Sequence, residues 1–258
     1  MVNKIIVVTG STSGIGLGIA KNLAKDNIII TNGIPTTNNT DHIKSSIEQL
    51  GAKEHLHLVA DMANPDQVNK MFENILNKFS KIDVLVNNAG IQYVSPIENF
   101  PAEKWESIIR INLISAFYTI KHSIPSMKKN KWGRIINIAS AHGLVASPYK
   151  SAYIAAKHGI IGLTKTVALE TAEDNITVNA ICPGYVRTPL VDGQVADTAK
   201  TRKMTEEDVV KNIILGAQAT KKFVEINEIA ELVSYLVSKK AQSITGSSYS
   251  IDGGWTAH

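Results

Sequence analysis

Short runs of apolar, largely β-branched residues recur along the chain, and almost every one closes in a small or polar turn that leads into a helical pattern. The runs are Lys4 to Thr9, Asn27 to Asn32, His55 to Ala60, Ile82 to Val86, Ile135 to Ile138, Ile176 to Cys182 and Ser247 to Ile251. Strands that alternate with helices return each time to the same end of a sheet, so this pattern predicts an α/β chain built on a doubly wound parallel sheet of the Rossmann-like kind. Ligands of such sheets lie beyond the carboxyl ends of the strands. Gly10, Asp61, Asn87, Ser140 and Pro183 each follow a predicted strand and are therefore expected at one common edge. No linker divides the chain, and 1–258 is read as a single dinucleotide-binding and catalytic domain.

The first run passes straight into Gly10-Ser11-Thr12-Ser13-Gly14-Ile15-Gly16 and then into a helix carrying Ile19, Leu23 and Ala24. Glycines let backbone approach a pyrophosphate, and the free N–H groups and positive dipole end of the helix receive its charge. Thr9 to Gly16 is thus a candidate dinucleotide site, with the spacing Gly-x-x-x-Gly-x-Gly. After the second run stands Asn32-Gly33-Ile34-Pro35, with no acid to meet the adenosine ribose and no base to meet a 2′-phosphate. Ser13 is not cationic either, which favours NAD over NADP. Asp61 and Met62 close the third run where the adenine would lie. Asn87-Asn88-Ala89-Gly90, after the fourth, is a turn of small residues open to close approach by a ligand.

Acid–base chemistry is carried by Ile138 to Lys157. Tyr153 and Lys157 are four residues apart on a predicted helix starting at Ser151, hence one turn apart on one face. A free phenol has a pKa of about 10 and is too weak a base at neutral pH. A nearby ammonium favours the phenolate and is expected to bring it into range. Ser140, just past the fifth strand, can hold a substrate oxygen opposite the pair. Together the three can move a proton on an alcohol or ketone.

Other features narrow the function class. The net charge of +4 is mild and spread along the chain, which does not support a nucleic-acid partner, and Lys128-Lys129-Asn130-Lys131 reads as a solvated helix end. Cys182 is the one cysteine, which excludes an internal disulfide and fits a reducing compartment. The N-terminal apolar run is too short for a signal peptide or membrane span, so a soluble cytoplasmic protein is expected. His55 and His57 lack the neighbours that would complete a metal site, and no metal is expected. Asn64-Pro65 opens a helix whose Val68, Met71, Phe72, Ile75, Leu76 and Phe79 form an apolar face. A long helix is predicted from about Glu103 to Lys129; Asn112 inside it marks either a local irregularity or a polar task. Residues 190–204 lack a strong period, and Thr205-Glu206-Glu207-Asp208 resembles a capping box. The stretch 190–220 is a candidate helical substrate lid, or else a plain surface insertion. Glu225 to Lys240 is a further amphipathic helix.

Taken together, Thr9-Gly10-x-x-x-Gly14-x-Gly16, Asn87-Asn88-Ala89-Gly90, Asn112, Ser140, Tyr153-x-x-x-Lys157 and Pro183-Gly184 resemble the short-chain dehydrogenase/reductase family over essentially the full length. Within it, Ile138 to Ser147, Ala180 to Val191 and Ile251 to Ala257 look like members that oxidise (R)-3-hydroxybutyrate to acetoacetate with NAD. The resemblance implies Tyr153 as general acid/base, Ser140 as the group polarising the substrate oxygen, and Lys157 as the partner that lowers the tyrosine pKa and binds the nicotinamide ribose. Asn112 would open its helix slightly and seat a water for a proton relay. Gln92, His142, Lys150 and Gln194 would gather a short carboxylate, with Trp255 closing the pocket. Pro183, Gly184, Val186 and Thr188 would complete the cofactor site. A small hydroxy acid is the implied substrate and a homotetramer the implied assembly. An NADPH-dependent 3-oxoacyl reductase and a dinucleotide-binding sensor without chemistry are the rival readings. A serine hydrolase on Ser140 and His142 lacks the Gly-x-Ser-x-Gly elbow.

Overall fold

The computed structural model describes residues 1–34 and 40–257. Seven parallel strands form one sheet in the order β3-β2-β1-β4-β5-β6-β7. They are β1 (Ile5–Val8), β2 (Ile28–Gly33), β3 (Glu54–Val59), β4 (Val84–Asn87), β5 (Gly133–Ile138), β6 (Ile176–Pro183) and β7 (Ser248–Ile251). Helices α1 (Gly14–Asn22), α2 (Thr40–Glu48), α3 (Pro65–Phe79), α4 (Ala102–Ile109), α5 (Ser115–Lys129), α6 (Ser151–Thr171), α7 (Pro189–Arg202), α8 (Glu206–Asp208) and α9 (Ile226–Val237) lie between them.

Side-chain alternation along the buried strands sends residues to two cores. Ile6 and Val8 of β1 pack with Ile19 of α1 and Ile229, Val233 and Leu236 of α9. Ile5 and Val7 pack on the other face with Val68, Met71, Phe72 and Ile75 of α3 and Ile120 of α5. A central parallel sheet reads as continuous apolar runs because both of its faces are covered in this way. The strand order reverses between β1 and β4, so the turns after these two strands splay apart into a crevice at the carboxyl edge.

Three segments refine the expectations, two by departing from them and one by giving bounds to a helix in the candidate lid. The long helix over 103–129 is interrupted: Arg110–Ile114 is a π-helical turn between α4 and α5, with Asn112 buried at its centre. The weakly periodic stretch 190–204 is largely helical, as α7, which Thr188 caps by accepting from the Val191 N–H and Pro189 opens at the first position. A second π-helical turn, Val209–Ile214, follows α8. Beyond the main cores, Tyr185, Val191, Val195, Val209 and Ile214 make a small cluster of their own that reaches Trp255. Helix α2 had no counterpart among the sequence expectations. Pro35, part of the stretch used to weigh the cofactor, lies outside the described residues.

Candidate active site

At the switch point a cavity of about 310 Å³ runs from the glycine turn after β1 to the turn after β7. Its first half is held open by polar side chains bonded to backbone. Thr9 Oγ1 accepts from the N–H groups of Asn88 (3.0 Å) and Ala89 (3.1 Å), and Asn88 Nδ2 donates to the carbonyls of Thr9 (3.0 Å) and Gly10 (2.9 Å). The β1 and β4 turns are thereby stitched together. Ser11 Oγ donates to Val8 O and accepts from the Asn32 N–H. Gly10 has φ +58° and lies where a Cβ would be 2.8 Å from Ala89 Cα; a Cβ on Gly16 would run into Asn88 Nδ2 and Gly10 O. Only glycine fits either place.

Asn32 accounts for the missing acid after β2. Its Oδ1 accepts from the Gly10 N–H (3.2 Å), and its Nδ2 donates to Leu58 O (3.2 Å) and Ala60 O (3.1 Å). The side chain is buried and fastens the glycine turn to the end of β3.

These residues fit a dinucleotide. Ser13, the N-cap of α1, makes no side-chain cap bond, and the first turn of α1 contains no acid. By contrast, Asn64 caps α3 through the Asp66 and Gln67 N–H groups, and Thr188 caps α7. The N–H groups of α1 and its positive dipole end are left for an anion at the cavity wall, which Thr12, Ser13, Gly14 and Ile15 line. Asp61, Met62, Ala89 and Gly90 line it further along, and the described residues of the wall near the second strand, Asn32, Gly33 and Ile34, include no cation.

The other half is aromatic and titratable. Ser140, Tyr153 and Lys157 line it with His142, Lys150, Tyr185, Gln194 and Trp255. Lys157 Nζ lies 5.4 Å from the Tyr153 ring centroid and donates to Ile138 O at 2.8 Å. Burial lowers its pKa to about 8. Enclosure also pushes the Tyr153 phenol above its usual range, partly offset by a hydrogen bond with Ser140. The direction opposes the expectation from spacing alone: the cost of desolvating a phenolate in this enclosure outweighs an ammonium held on a carbonyl.

His142 is buried, with Nε2 at 3.0 Å from Ser147 Oγ; burial and the neighbouring Lys150 charge lower its pKa to about 3, so the imidazole is neutral. Lys150 Nζ donates to Tyr185 Oη at 2.8 Å, and burial lowers its pKa to about 8. Among the described residues Gln92 Nε2 is buried without a hydrogen-bond partner, so an amide donor in the same cavity is left over for a ligand. Trp255 stacks on Tyr185 (5.3 Å, 8°) and meets His142 edge to face at 4.7 Å. Its turn is fixed by Asp252, whose carboxylate accepts from the Gly254 and Thr256 N–H groups.

Most of the residues singled out from sequence thus line one cavity. Thr9, Ser11, Gly16 and Asn112 stand behind its wall and hold it. Asn112 accepts from the Ile91 N–H (2.9 Å) and donates to Ile91 O (3.0 Å), locking the segment that carries Gln92. Pro183, Gly184, Val186 and Thr188 line the exit of β6, where Val186 bridges to Val224. Sequence reasoning passed over Tyr185, although it stands within Pro183-Gly184-Tyr185 after a strand. His55 and His57 both face Thr31 Oγ1, and no group of metal-binding side chains occurs among the described residues. No helix among them is long and apolar enough to cross a membrane.

The profile of the family described as short chain dehydrogenase matches residues 4–199, and the chain belongs to that family. Over 98% of its length it is 54% identical to a D-beta-hydroxybutyrate dehydrogenase of Rhizobium meliloti strain 1021, of which it covers 99%. It is 48% identical to the enzyme of the same name from Cupriavidus necator, covering 98% of each chain. Among solved structures, an actinorhodin polyketide ketoreductase with NADPH superposes with a TM-score of 0.93 at 28% identity, over the whole of both chains.

Proposed function

We propose that the chain interconverts (R)-3-hydroxybutyrate and acetoacetate with NAD, as the names of its bacterial relatives suggest. The observation that carries this reading is the pairing, within one cavity, of a Ser140, Tyr153 and Lys157 set with a buried Lys150 that has no carboxylate partner among the described ion pairs. Bound NAD would supply the hydride acceptor. Ser140 and Tyr153 hold the C3 oxygen, and Tyr153, entering the reaction as phenolate, takes the hydroxyl proton as the C3–H bond gives up its electron pair and the carbonyl forms. Lys157 holds the ribose and opposes the cost of charge on Tyr153. Lys150, the free amide of Gln92, Gln194 and neutral His142 hold the carboxylate and so orient C3. Asn112 fixes Ile91, and its opened turn is the place for a relay water. A wall without a cation near Asn32 and Gly33 supports NAD over NADP.

Helix α7 and the π turn after α8 are the lid of this reading. Exposed Phe117 and Leu169 on α5 and α6 offer apolar surface for contact between copies in the homotetramer of this reading, and a lone unbridged cysteine, Cys182, suits a reducing cytoplasm. Absorbance of reduced nicotinamide, with each enantiomer of 3-hydroxybutyrate and with NAD or NADP, tests the reading. Rapid reduction is expected with NAD and the (R) acid alone. Inactivity on both acids, with turnover of a 3-oxoacyl thioester and NADPH, would overturn the substrate and the cofactor together.

A further inference from the structure

We propose that Tyr185 is a positioning residue for Lys150: its phenol oxygen holds the lysine amine at the cavity wall, aimed at the substrate carboxylate, and its ring ties that amine to the packing of the lid. The proposal rests on the reading that Lys150 receives a carboxylate.

A lysine stem has four rotatable bonds and loses up to about 2 kcal/mol of conformational entropy when fixed. Lys150 is nevertheless buried, and its amine has one hydrogen-bond partner among the described residues, Tyr185 Oη at 2.8 Å. Its amine also lies 5.2 Å from the Tyr185 ring centroid. Tyr185 in turn has little freedom. It stacks on Trp255 at 5.3 Å, meets His142 edge to face at 6.3 Å, and accepts through its backbone carbonyl from the Val224 N–H at 2.9 Å.

The rest of its surroundings come from the lid. Tyr185 clusters with Val191 and Val195 of α7 and with Val209 and Ile214 of the second π turn, apart from the cores that flank the sheet. Where this phenol stands therefore depends on how the lid packs as well as on Trp255 and His142, and the amine follows it.

The chemistry of the pair suits a guide that does not compete with the acid. An ammonium has three donors, and one bond to Tyr185 leaves two for a carboxylate. Burial and the nearby Tyr153 push the Tyr185 phenol above its usual range, so it stays neutral and does not cancel the lysine charge. The titratable groups beside Lys150 are Tyr185, which accepts from its amine, and His142 from the turn after β5, whose pKa the lysine charge lowers; Tyr153 of α6 stands next to both of these. His142 is neutral, which leaves the ammonium as the charge the acid meets.

Tyr185→Phe tests this, because phenylalanine keeps the stack on Trp255 and removes only the oxygen. KM for 3-hydroxybutyrate is expected to rise roughly fivefold to tenfold, as for loss of one hydrogen bond of ordinary strength, with kcat within about twofold. A charge-assisted bond favours the ammonium over the free amine. Its loss should move the alkaline rise of KM, near pH 8 in the parent protein, to lower pH. Modification of Lys150 by an amine-acylating reagent, mapped on peptides across pH, should show the same displacement in the absence of substrate. An unchanged KM together with an unchanged labelling profile would overturn the proposal and leave Tyr185 as packing. If neither variant nor parent oxidises 3-hydroxybutyrate, the substrate reading fails, and the labelling profile still decides the role of Tyr185.

Discussion

The two halves of the cavity are built to opposite rules. On the side of β1, β2 and β3, the polar side chains Thr9, Ser11, Asn32 and Asn88 are bonded to backbone, and the wall they leave is made largely of backbone, glycine and small side chains. On the side of β5, β6 and β7, backbone recedes, and the wall consists of aromatic rings and titratable groups, with Lys150 and Lys157 each held by one neutral oxygen. The first half recognises by fixed shape and dipole, independent of pH. The second holds charges away from water, so its properties move with protonation. A shared anionic ligand chemistry is thus met once by geometry and once by ionisation.

Substitutions on the two sides should separate cleanly. The largest effect is expected from Tyr153→Phe: a fall in kcat of about 10³-fold or more, the upper part of what general acid–base catalysis contributes, with dinucleotide affinity unchanged by fluorescence titration. Near-normal turnover in the folded variant would remove the phenol from the reaction. Next is Lys150→Ala, which should raise KM by about 30-fold or more with a smaller change in kcat, in line with removing a desolvated charge partner; saturation curves for the (R) acid would show it, and an unchanged KM sinks the carboxylate role. Gly16→Ala should do the reverse. Its methyl group collides with Asn88 and Gly10, costing about 1–3 kcal/mol of stability and weakening NAD binding while leaving the KM for the acid little altered; denaturant melts and cofactor titration measure the two parts.

The smallest effect is on stability against pH. Lys150 and Lys157 have folded pKa values near 8 against an ordinary 10.5. Between these limits the unfolded chain keeps protons that the folded chain has released, so unfolding free energy should rise with pH across that window, by on the order of 1 kcal/mol or more. The raised tyrosines reverse the trend above about pH 10, where unfolded tyrosine ionises first. Denaturant melts between pH 7.5 and 9.5 check the sign, and Lys150→Met should flatten the slope.

How much of this could be read from the chain alone follows from how local each cause is. Strands and the glycine turn were legible because apolar runs and a strand–turn–helix order are sequential properties, and Tyr153 with Lys157 because four residues make one helical turn. A helical lid is expected over 190–220, but the bounds of α7 are not legible, since α7 buries only scattered residues such as Val191 and Val195 and carries no continuous apolar stripe; Thr188-Pro189 is its one local signal. Asn112 could be flagged as odd, but its π turn depends on Ile91, a contact 21 residues away. The direction of the Tyr153 shift is a matter of enclosure, and the partnership of Tyr185 with Lys150 joins residues 35 apart, which no spacing rule reveals.

Asn32 gives the cofactor half a particular history. An aspartate there is one base change away in the genetic code and would look like a simple way to acquire an acid for the adenosine ribose. Yet the asparagine amide donates to the carbonyls of Leu58 and Ala60, and a carboxylate in its place would present oxygen to oxygen inside the protein. The mutation that reads as a gain of ribose contact would loosen the glycine turn from β3 first, so a lineage beginning from this arrangement acquires that acid only by rebuilding the neighbouring turn as well.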